Sequence, residues 1–426
     1  MMLEFKIEKS EEKITSHAGL ILTCEFYEYH GLDKLVNLIF PKPGSDIGYM
    51  ANNFVLPLLL MEIGGGEALA HVKRLSEDKP LMKLLNMQIP KPATIGRWLE
   101  RTYSKAYDGL ETINNYVSEI VLSNDKRTEY TFDPDATAIA SEKESAKMTY
   151  EGFTGYMPML GCLAEIPLFI VDDFREGNVT PSTDALPILE NAIKNMPEGK
   201  KIARLRSDSA WYQAAIINYC QSKSIKFTIT ADKDKAVMEA LSNIKEWKPC
   251  KDKDGKLNGR EYGETSHSMQ KTKDGFRLVV QRWKPESERK DLPEYFYYVI
   301  ATNYDYDELL CQEVIYWHNS RANSENYNKE IKLGFGMEHI PCQDFGANAM
   351  YFRIGILAYN LIIAMKELLL PEEFKKKTIK TMRWLWVNTW GKLIRHSGKL
   401  ILKLDSSVEW LFECWKDFKQ RKKSNS

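Results

Sequence analysis

The sequence predicts an α/β protein built on one mixed sheet with helices on both faces. The order of segments along the chain carries this prediction. From residue 128 onward, short apolar strands and helical segments alternate in the order strand, strand, strand, helix, strand, helix, strand. One sheet covered by helices is the arrangement that buries such elements. Before this point, residues 1–125 place apolar side chains at helical spacing, which predicts a mainly helical N-terminal domain.

Within the helical region, residues 89–99 contain two prolines and then a short basic helix that carries Arg97 and Arg101. A short basic helix after a tight turn is what a helix-turn-helix places in a DNA groove. We therefore expect DNA contacts from Arg97 and Arg101. An ordinary helical hairpin has the same pattern and remains an alternative.

The sheet is predicted from five strands and two helices. We expect strands at residues 129–133, 156–163, 166–171, 201–207 and 225–230, and helices at residues 183–193 and 211–220. In a sheet of this order the first and fourth strands lie side by side. Side chains that follow these two strands are therefore expected to meet.

The remaining chain is predicted in three parts. Residues 232–305 combine charged loops with apolar pieces at 276–283 and 295–302, which indicates an inserted β-rich subdomain; residues 248–260 are expected to form an exposed loop. Helices follow at 319–334 and 347–369, and the second is expected in the core rather than in a membrane. The expected regions are 1–125, 126–231, 232–305, 306–370 and 371–426.

Composition narrows the class of protein. The chain has 426 residues, 43% of them hydrophobic, and a formal net charge of zero, which predicts several folded units and gives no overall sign of a polyanionic partner. Charge is uneven, because residues 366–426 hold fifteen Lys and Arg against seven Asp and Glu. This region could contact phosphates or serve as a solubilising tail.

Location and cysteine chemistry are predicted from simple patterns. The seven cysteines are scattered with no C-x-x-C pair, which argues against a structural zinc site and a disulfide framework. The N-terminus lacks the apolar run of a signal peptide. We expect a cytoplasmic protein that does not enter a membrane.

The predicted helix at 319–334 carries a stripe of charge. At about 100° per residue, Glu325 lies roughly 40° around the helix from Arg321, and Lys332 roughly 20°. An acid between two cations is suited to a metal ion beside a polyanion. A solvated charged helix with ordinary i,i+4 pairing is the alternative.

Three acids are candidates for catalysis. Asp135 follows the first strand in F-D-P-D-A-T, Asp208 follows the fourth in R-S-D-S, and Glu325 lies on the late helix. Three carboxylates suit one or two Mg²⁺ ions, which prefer oxygen ligands. Each acid also has a structural alternative: Asp133 and Asp135 could turn the chain after a strand, and Asp208 could be only a helix N-cap.

These residues carry a resemblance to a known family. D-x-D-A-T with Asp135, R-S-D-S with Asp208, and R-x-x-x-E followed by six residues and a Lys, with Arg321, Glu325 and Lys332, resemble the DDE transposases of bacterial insertion sequences that have a Tyr-Arg-Glu-Lys signature. The segments at 150–158, 174–178 and 301–303 are also similar. The resemblance covers roughly residues 128–370. Where the family pattern has Tyr, this chain has His318.

The resemblance implies an RNase H-like catalytic domain with a β insertion, and a metal site made of Asp135, Asp208 and Glu325. It implies Mg²⁺, replaceable by Mn²⁺, as cofactor. The implied partners are the terminal inverted repeats and target DNA, bound by a homodimer in the bacterial cytoplasm at the nucleoid. Arg321 and Lys332 would hold phosphates, and His318 would contact a phosphate or a base.

Two other functions remain open from the sequence. One is a catalytically silent, transposase-derived DNA-binding protein, and retention of all three acids argues against it. The other is an RNase H-like nuclease that cuts DNA without joining it. Trp211, close after Asp208, could stack on an unpaired base or pack in the core.

Overall fold

The computed structural model describes residues 6–9, 11–44, 48–252, 254–285 and 292–424. The chain divides into two compact units. The sheet unit consists of Ser118–Glu142 and Ala146–Lys329, and the helical unit of Met1–Val117, Lys143–Ser145 and Glu330–Ser426. Residues 1–5 of the predicted N-terminal domain and 286–291 of the predicted insertion lie outside the described residues.

Nine strands form one sheet in the described part of the sheet unit. They are β1 (Glu129–Ala136), β2 (Met159–Leu163), β3 (Phe169–Asp173), β4 (Lys201–Ser207), β5 (Lys226–Thr230), β6 (Lys248–Lys251), β7 (Leu257–His267), β8 (Phe276–Trp283) and β9 (Phe296–Thr302). Their spatial order is β6-β7-β8-β9-β5-β4-β1-β2-β3. A small second sheet joins Ile139–Ala140, Lys147–Met148 and Thr154–Tyr156.

The first five strands have the RNase H-like order 3-2-1-4-5. β2 is antiparallel to both β1 and β3, whereas β1, β4 and β5 run parallel. The mixed sheet expected from the sequence is confirmed. So is the adjacency of the first and fourth strands, because Phe132 of β1 pairs with Leu205 of β4.

The β-rich stretch predicted as an insertion extends this same sheet. β9 pairs antiparallel with β5, and β8, β7 and β6 follow it outward. The exposed loop expected at 248–260 is wrong in part, since β6 and the start of β7 lie there. These are outer strands with exposed Lys, Asn and Arg side chains, so the apolar alternation that marks a half-buried strand is missing.

Helices cover both faces of the sheet. They are Ala185–Lys194, Ala214–Ser222, Lys235–Ser242, Cys311–Asn319 and Ala322–Lys329, with a 3₁₀ turn at Ser209–Trp211. Successive strand residues point to opposite faces. Accordingly Phe132 contacts Trp211 on one face, and Asp133 is linked to the end of the Cys311–Asn319 helix on the other through Arg206. Asp135, two residues on, shares the face of Asp133.

The sheet opens between β1 and β4 where the parallel pairing stops. Their last paired residues are Phe132 and Leu205, and beyond them β1 continues to Ala136 beside β2 alone. Pro134 has no N–H with which to extend a ladder toward β4. Ligands bind in such crevices at the carboxyl ends of parallel strands, and Asp135 and Asp208 lie at these ends.

The helical unit contains Leu20–Tyr29, Leu32–Ile39, Asn52–Gly64, Leu69–His71, Val72–Glu77, Lys79–Leu85, the first part of Pro92–Asn124, Phe345–Leu368, Glu372–Phe374, Ile379–Met382, Ser406–Val408 and Glu409–Ser424, with π-helical turns at Glu330–Gly334 and Arg383–Val387. Strands Ile14–Thr15, Gly391–His396 and Lys399–Leu404 form a third sheet. The Phe345–Leu368 helix is long and apolar enough to cross a membrane, but its most apolar stretch is wholly buried. It packs against Asn52–Gly64 as a core helix.

Two sequence expectations change in this unit. Arg97 and Arg101 lie on a 33-residue helix, Pro92–Asn124, so the short helix of a helix-turn-helix is wrong. Trp98 stacks on Phe54 with ring centroids 4.6 Å apart, which anchors this helix in the core. The basic C-terminal region is folded: its strands pair and Trp386 is buried, whereas Trp384 is 88% exposed.

Candidate active site

Asp135 is fixed at the end of β1 by its neighbours. It pairs across the sheet with Leu160 of β2, and its Oδ2 accepts a hydrogen bond of 2.8 Å from the Asn328 amide. Burial raises the pKa of Asp135 to about 7, the Arg321 guanidinium opposes this shift, and the charges of Asp208 and Glu325 add to it. Two of the three predicted acids therefore act electrostatically on the third.

Asp208 follows β4 and caps the turn after it. Its Oδ1 accepts a hydrogen bond of 3.0 Å from the backbone N–H of Ala210, so the structural alternative from the sequence, an N-cap, is also met. Burial raises the pKa of Asp208, which Arg321 opposes and Asp232 increases. Asp232 is an exposed acid just beyond β5, and it adds a fourth carboxylate to this edge of the sheet.

Glu325 lies on the short Ala322–Lys329 helix and is 62% exposed. Arg321 occupies the turn before this helix, so the continuous helix predicted over 319–334 is wrong. The backbone of Arg321 makes two hydrogen bonds. Its N–H donates to the His318 carbonyl at 3.0 Å, and its carbonyl accepts from the Ser324 N–H at 2.8 Å. The Arg321 side chain therefore extends from a backbone that hydrogen bonds hold in place.

The guanidinium of Arg321 lies between two of the acids. Nη1 is 3.5 Å from Asp135 Oδ1, and Nη2 is 3.5 Å from Glu325 Oε1. Charge-assisted hydrogen bonds are typically 2.7–2.9 Å long, so neither contact is a close one. Nη1 is buried and makes no hydrogen bond. Arg321 is thus an internal counter-ion that is loosely bound.

The chemistry of these donors fits a hard divalent cation. Asp135, Asp208 and Glu325 offer only carboxylate oxygens, the ligands that Mg²⁺ prefers, and Arg321 is a stand-in cation between two of them. In the parts of the chain that are described, no three His, Cys, Asp or Glu side chains are close enough to share one ion. Asp135 and Glu325 share the guanidinium instead.

A second aspartate on β1 forms a buried ion pair. Arg206 of β4 donates to both oxygens of Asp133, from Nε at 2.9 Å and from Nη2 at 2.6 Å. Its Nη1 donates to the Trp317 carbonyl at 3.1 Å and to Ser320 Oγ. Burial raises the pKa of Asp133 to about 6, opposed by the bond from Arg206. The pair joins two strands to the turn that carries Arg321.

His318 is not a surface residue. Its ring is 1% exposed and lies between Thr228 Oγ1, 2.8 Å from Nδ1, and Thr230 Oγ1, 3.0 Å from Nε2. Burial lowers the pKa of His318 to about 3, and the charges of Arg321 and Arg206 lower it further. The expectation that His318 contacts DNA is wrong for this structure, because a neutral ring holds the helix against β5.

The other predicted residues have varied surroundings. Lys332 lies on the π-helical turn Glu330–Gly334 in the helical unit. A π-helical turn does not keep α-helical spacing, so the angular offset predicted for Lys332 does not hold. Arg97 and Arg101 are exposed. Trp211 is 1% exposed and packs against Phe132. It is therefore a core residue and is not accessible for stacking on a base.

Three site residues were missed by the sequence reasoning. Asn328 follows Glu325 by three positions, so helical spacing could have placed it on the same face. Asp133 and Arg206 each stand two residues before a predicted acid. Strand alternation could have put each beside that acid, but their pairing spans 73 residues and leaves no local pattern.

Comparisons with known proteins give two findings. A family model described as the transposase DDE domain, group 1, matches residues 3–419. A solved structure, titled as the cryo-EM structure of the piggyBac transposase synaptic complex with hairpin DNA, is similar with a TM-score of 0.47 and 11% identity, over 89% of this chain and 83% of that one. No curated protein matches the chain significantly.

Proposed function

Because this chain belongs to the DDE transposases, metal-dependent enzymes that cut and join DNA, we propose that Asp135, Asp208 and Glu325 form its catalytic metal site. One observation carries the proposal: the charges of Asp208 and Glu325 both act on Asp135, across the opening between β1 and β4. Two of these acids follow neighbouring parallel strands, and the third lies on a helix. A divalent cation bound by these acids would offset the repulsion between their negative charges.

Divalent cations in such a site activate water and hold the attacking and leaving oxygens of a phosphodiester. The chain's own residues prepare for this chemistry. Asn328 holds one oxygen of Asp135, and the Ala210 N–H holds one oxygen of Asp208. The other oxygen of Asp135, Oδ1, lies 3.5 Å from Arg321 Nη1.

We propose Mg²⁺ as the physiological ion, with Mn²⁺ able to replace it, since the donors are all carboxylate oxygens. The proposed substrate is double-stranded DNA carrying the terminal inverted repeats of a bacterial insertion sequence, together with target DNA, in the nucleoid. A homodimer would hold the paired ends. Arg97, Arg101, Arg321 and Lys332 are proposed as phosphate contacts.

The catalytic proposal is tested with Glu325→Gln. A plasmid that carries the gene with its own flanking DNA is incubated with the purified protein and Mg²⁺, and nicked and joined products are separated on a gel. We expect the Glu325→Gln protein to bind the flanking DNA as the unchanged protein does but to produce neither nicked nor joined DNA. Glu190→Gln, an exposed glutamate on the Ala185–Lys194 helix, is the matched control and should retain both activities.

Normal nicking by Glu325→Gln would overturn the assignment of the site. Labelling the 3′ end of the donor strand distinguishes a transposase from a nuclease. Label transferred into target DNA is the product of a transposase, whereas label released only as a cut fragment is that of a nuclease.

The DNA-contact proposal is tested by salt dependence. Each phosphate contact adds about 0.9 to the slope of log binding constant against log salt concentration. We expect Arg97→Ala and Arg101→Ala each to flatten that slope by about one contact. Lys73→Ala, whose amine pairs with Glu77 on an exposed helix, serves as the control. An unchanged slope in both arginine variants would remove this face from the DNA interface.

A further inference from the structure

The position of Arg321 has a consequence for metal binding. Its two Nη atoms lie at equal distance from Asp135 and Glu325, and these are two of the proposed metal ligands. A cation that draws the same carboxylates together needs the place that the guanidinium fills. Arg321 and a divalent ion therefore compete for one site.

The contacts of Arg321 are weak enough to be exchanged. At 3.5 Å they are longer than the 2.6 and 2.9 Å bonds between Arg206 and Asp133. Nη1 makes no hydrogen bond although it is buried, and a buried donor without a hydrogen bond is destabilising. The Arg321 guanidinium would gain hydrogen bonds by moving to a phosphate, which offers bidentate acceptors.

The backbone permits this movement. Arg321 lies in a turn whose N–H and carbonyl are bonded to His318 and Ser324, so the side chain can change rotamer without the helix moving. The turn is fixed further by Ser320, which accepts a hydrogen bond from the buried Arg206. The swing of one side chain is sufficient.

We propose that Arg321 is a displaceable counter-ion that couples metal binding to DNA binding, an inference that rests on the proposed metal site. In the absence of DNA, the guanidinium between Asp135 and Glu325 opposes entry of a divalent ion. A DNA phosphate draws the guanidinium away, and the carboxylates then close on the ion. By linkage, the ion must strengthen DNA binding by the same factor.

The test measures Mn²⁺ binding to the full-length protein by the electron paramagnetic resonance signal of free Mn²⁺. It is done with and without a duplex copied from the DNA that flanks the gene. Couplings of this kind are about 5- to 150-fold, so we expect the duplex to tighten Mn²⁺ binding at least about fivefold in the unchanged protein. In Arg321→Ala we expect tight Mn²⁺ binding without DNA and little further gain with it.

Two other variants make the result interpretable. Lys329→Ala removes an exposed cation from the Ala322–Lys329 helix that follows Arg321 and should behave like the unchanged protein. Arg321→Gln keeps a polar side chain without charge, and it should repeat the Ala result if the charge is what matters. A circular dichroism melt checks that each variant is folded.

The outcomes separate this inference from the proposed function. If Asp135→Asn loses Mn²⁺ binding while Arg321→Ala and Arg321→Gln bind Mn²⁺ no tighter than the unchanged protein, the metal site stands and the counter-ion role is wrong. If Asp135→Asn binds Mn²⁺ normally, the metal site itself is wrong and the inference fails with it. Tighter binding in both Arg321 variants, lost when Asp135→Asn is added, supports both.

Discussion

Strand β1 presents two aspartates on the same face, and each meets an arginine in a different way. Asp133 and Arg206 form a buried pair with two hydrogen bonds of 2.6 and 2.9 Å. Asp135 and Arg321 approach only to 3.5 Å, and the arginine is shared with Glu325. The two aspartates are separated by a single proline.

The difference lies in the balance of charge around each pair. Asp133 has one arginine to itself, and the third nitrogen of that arginine is satisfied by Trp317 and Ser320. Around Asp135, one arginine acts on three acids, Asp135, Asp208 and Glu325. The Asp133–Arg206 pair is balanced in charge. The acids around Arg321 carry an excess of negative charge, which another cation can neutralise. We infer that the first pair is structural and that the second is part of a working site.

The largest expected effect is on catalysis by Asp135→Asn. Loss of one proposed metal ligand should lower DNA cleavage by on the order of 10³-fold, equivalent to about 4 kcal/mol of barrier. Stability should not fall, because burial and two acids disfavour the charged form of Asp135. Single-turnover cleavage and a thermal melt are the measurements. Retained cleavage with a lower melting temperature would reverse the roles given to the two aspartates.

The second effect is on stability, through Asp133→Asn. Removing one partner of a buried ion pair leaves an uncompensated charge and costs about 3–5 kcal/mol. Hydrogen exchange at the β1 and β4 amides measures this locally. The double variant Asp133→Asn with Arg206→Met removes the stranded charge and should recover part of the loss. A single variant as well protected as the unchanged protein would mean that the pair contributes nothing.

The third effect is on the pH dependence of stability. Both aspartates have raised pKa values in the folded chain, about 6 for Asp133 and about 7 for Asp135. The folded state therefore binds more protons than the unfolded state above about pH 4. Their contribution to stability is fully present below that pH and is lost as pH rises through 6 and 7, by at most about 1.4 kcal/mol per pH unit for each group.

Asp135→Asn should remove the contribution of one of the two groups to this profile, between about pH 4 and pH 7. Urea unfolding between pH 4 and 8, in the presence of a chelator, gives the difference in unfolding free energy between the variant and the unchanged protein. We expect that difference to grow in favour of the variant up to about pH 7 and then to level off. A difference that does not vary with pH would mean that Asp135 is ionised without cost.

The parts of this comparison differ in how far the sequence could predict them. Alternating apolar residues fixed β4 and β8 at their observed bounds, and the adjacency of β1 and β4 placed Asp135 and Asp208 together. These features depend on local periodicity and on strand order. The pairing of Asp133 with Arg206 depends on which face each strand presents across 73 residues, and no local pattern encodes it.

The helix boundaries near Glu325 failed for a related reason. An ideal helix was assumed from residue 319 to 334, but the chain turns at Arg321 and becomes π-helical at Glu330–Gly334. Arg206 bonds to Trp317 and Ser320 at the first break, and Glu330 accepts a hydrogen bond from the Ile379 N–H at the second. His318 is similar, since its partners Thr228 and Thr230 belong to β5. Polar residues that find buried partners on distant elements have the same appearance in a sequence as surface residues.

The smallest expected effect is that of Asn328→Ala, which tests whether Asn328 is a metal ligand or only orients Asp135. Asn328 donates to Asp135 Oδ2 and lowers the pKa of that acid. Losing this hydrogen bond should weaken Mn²⁺ binding by about 1 kcal/mol, or roughly fivefold, and leave the fold intact. Asn323→Ala, at an exposed position on the same helix, should change nothing. A loss as large as that of Asp135→Asn would instead make Asn328 a ligand, because an orienting residue leaves the carboxylate in place.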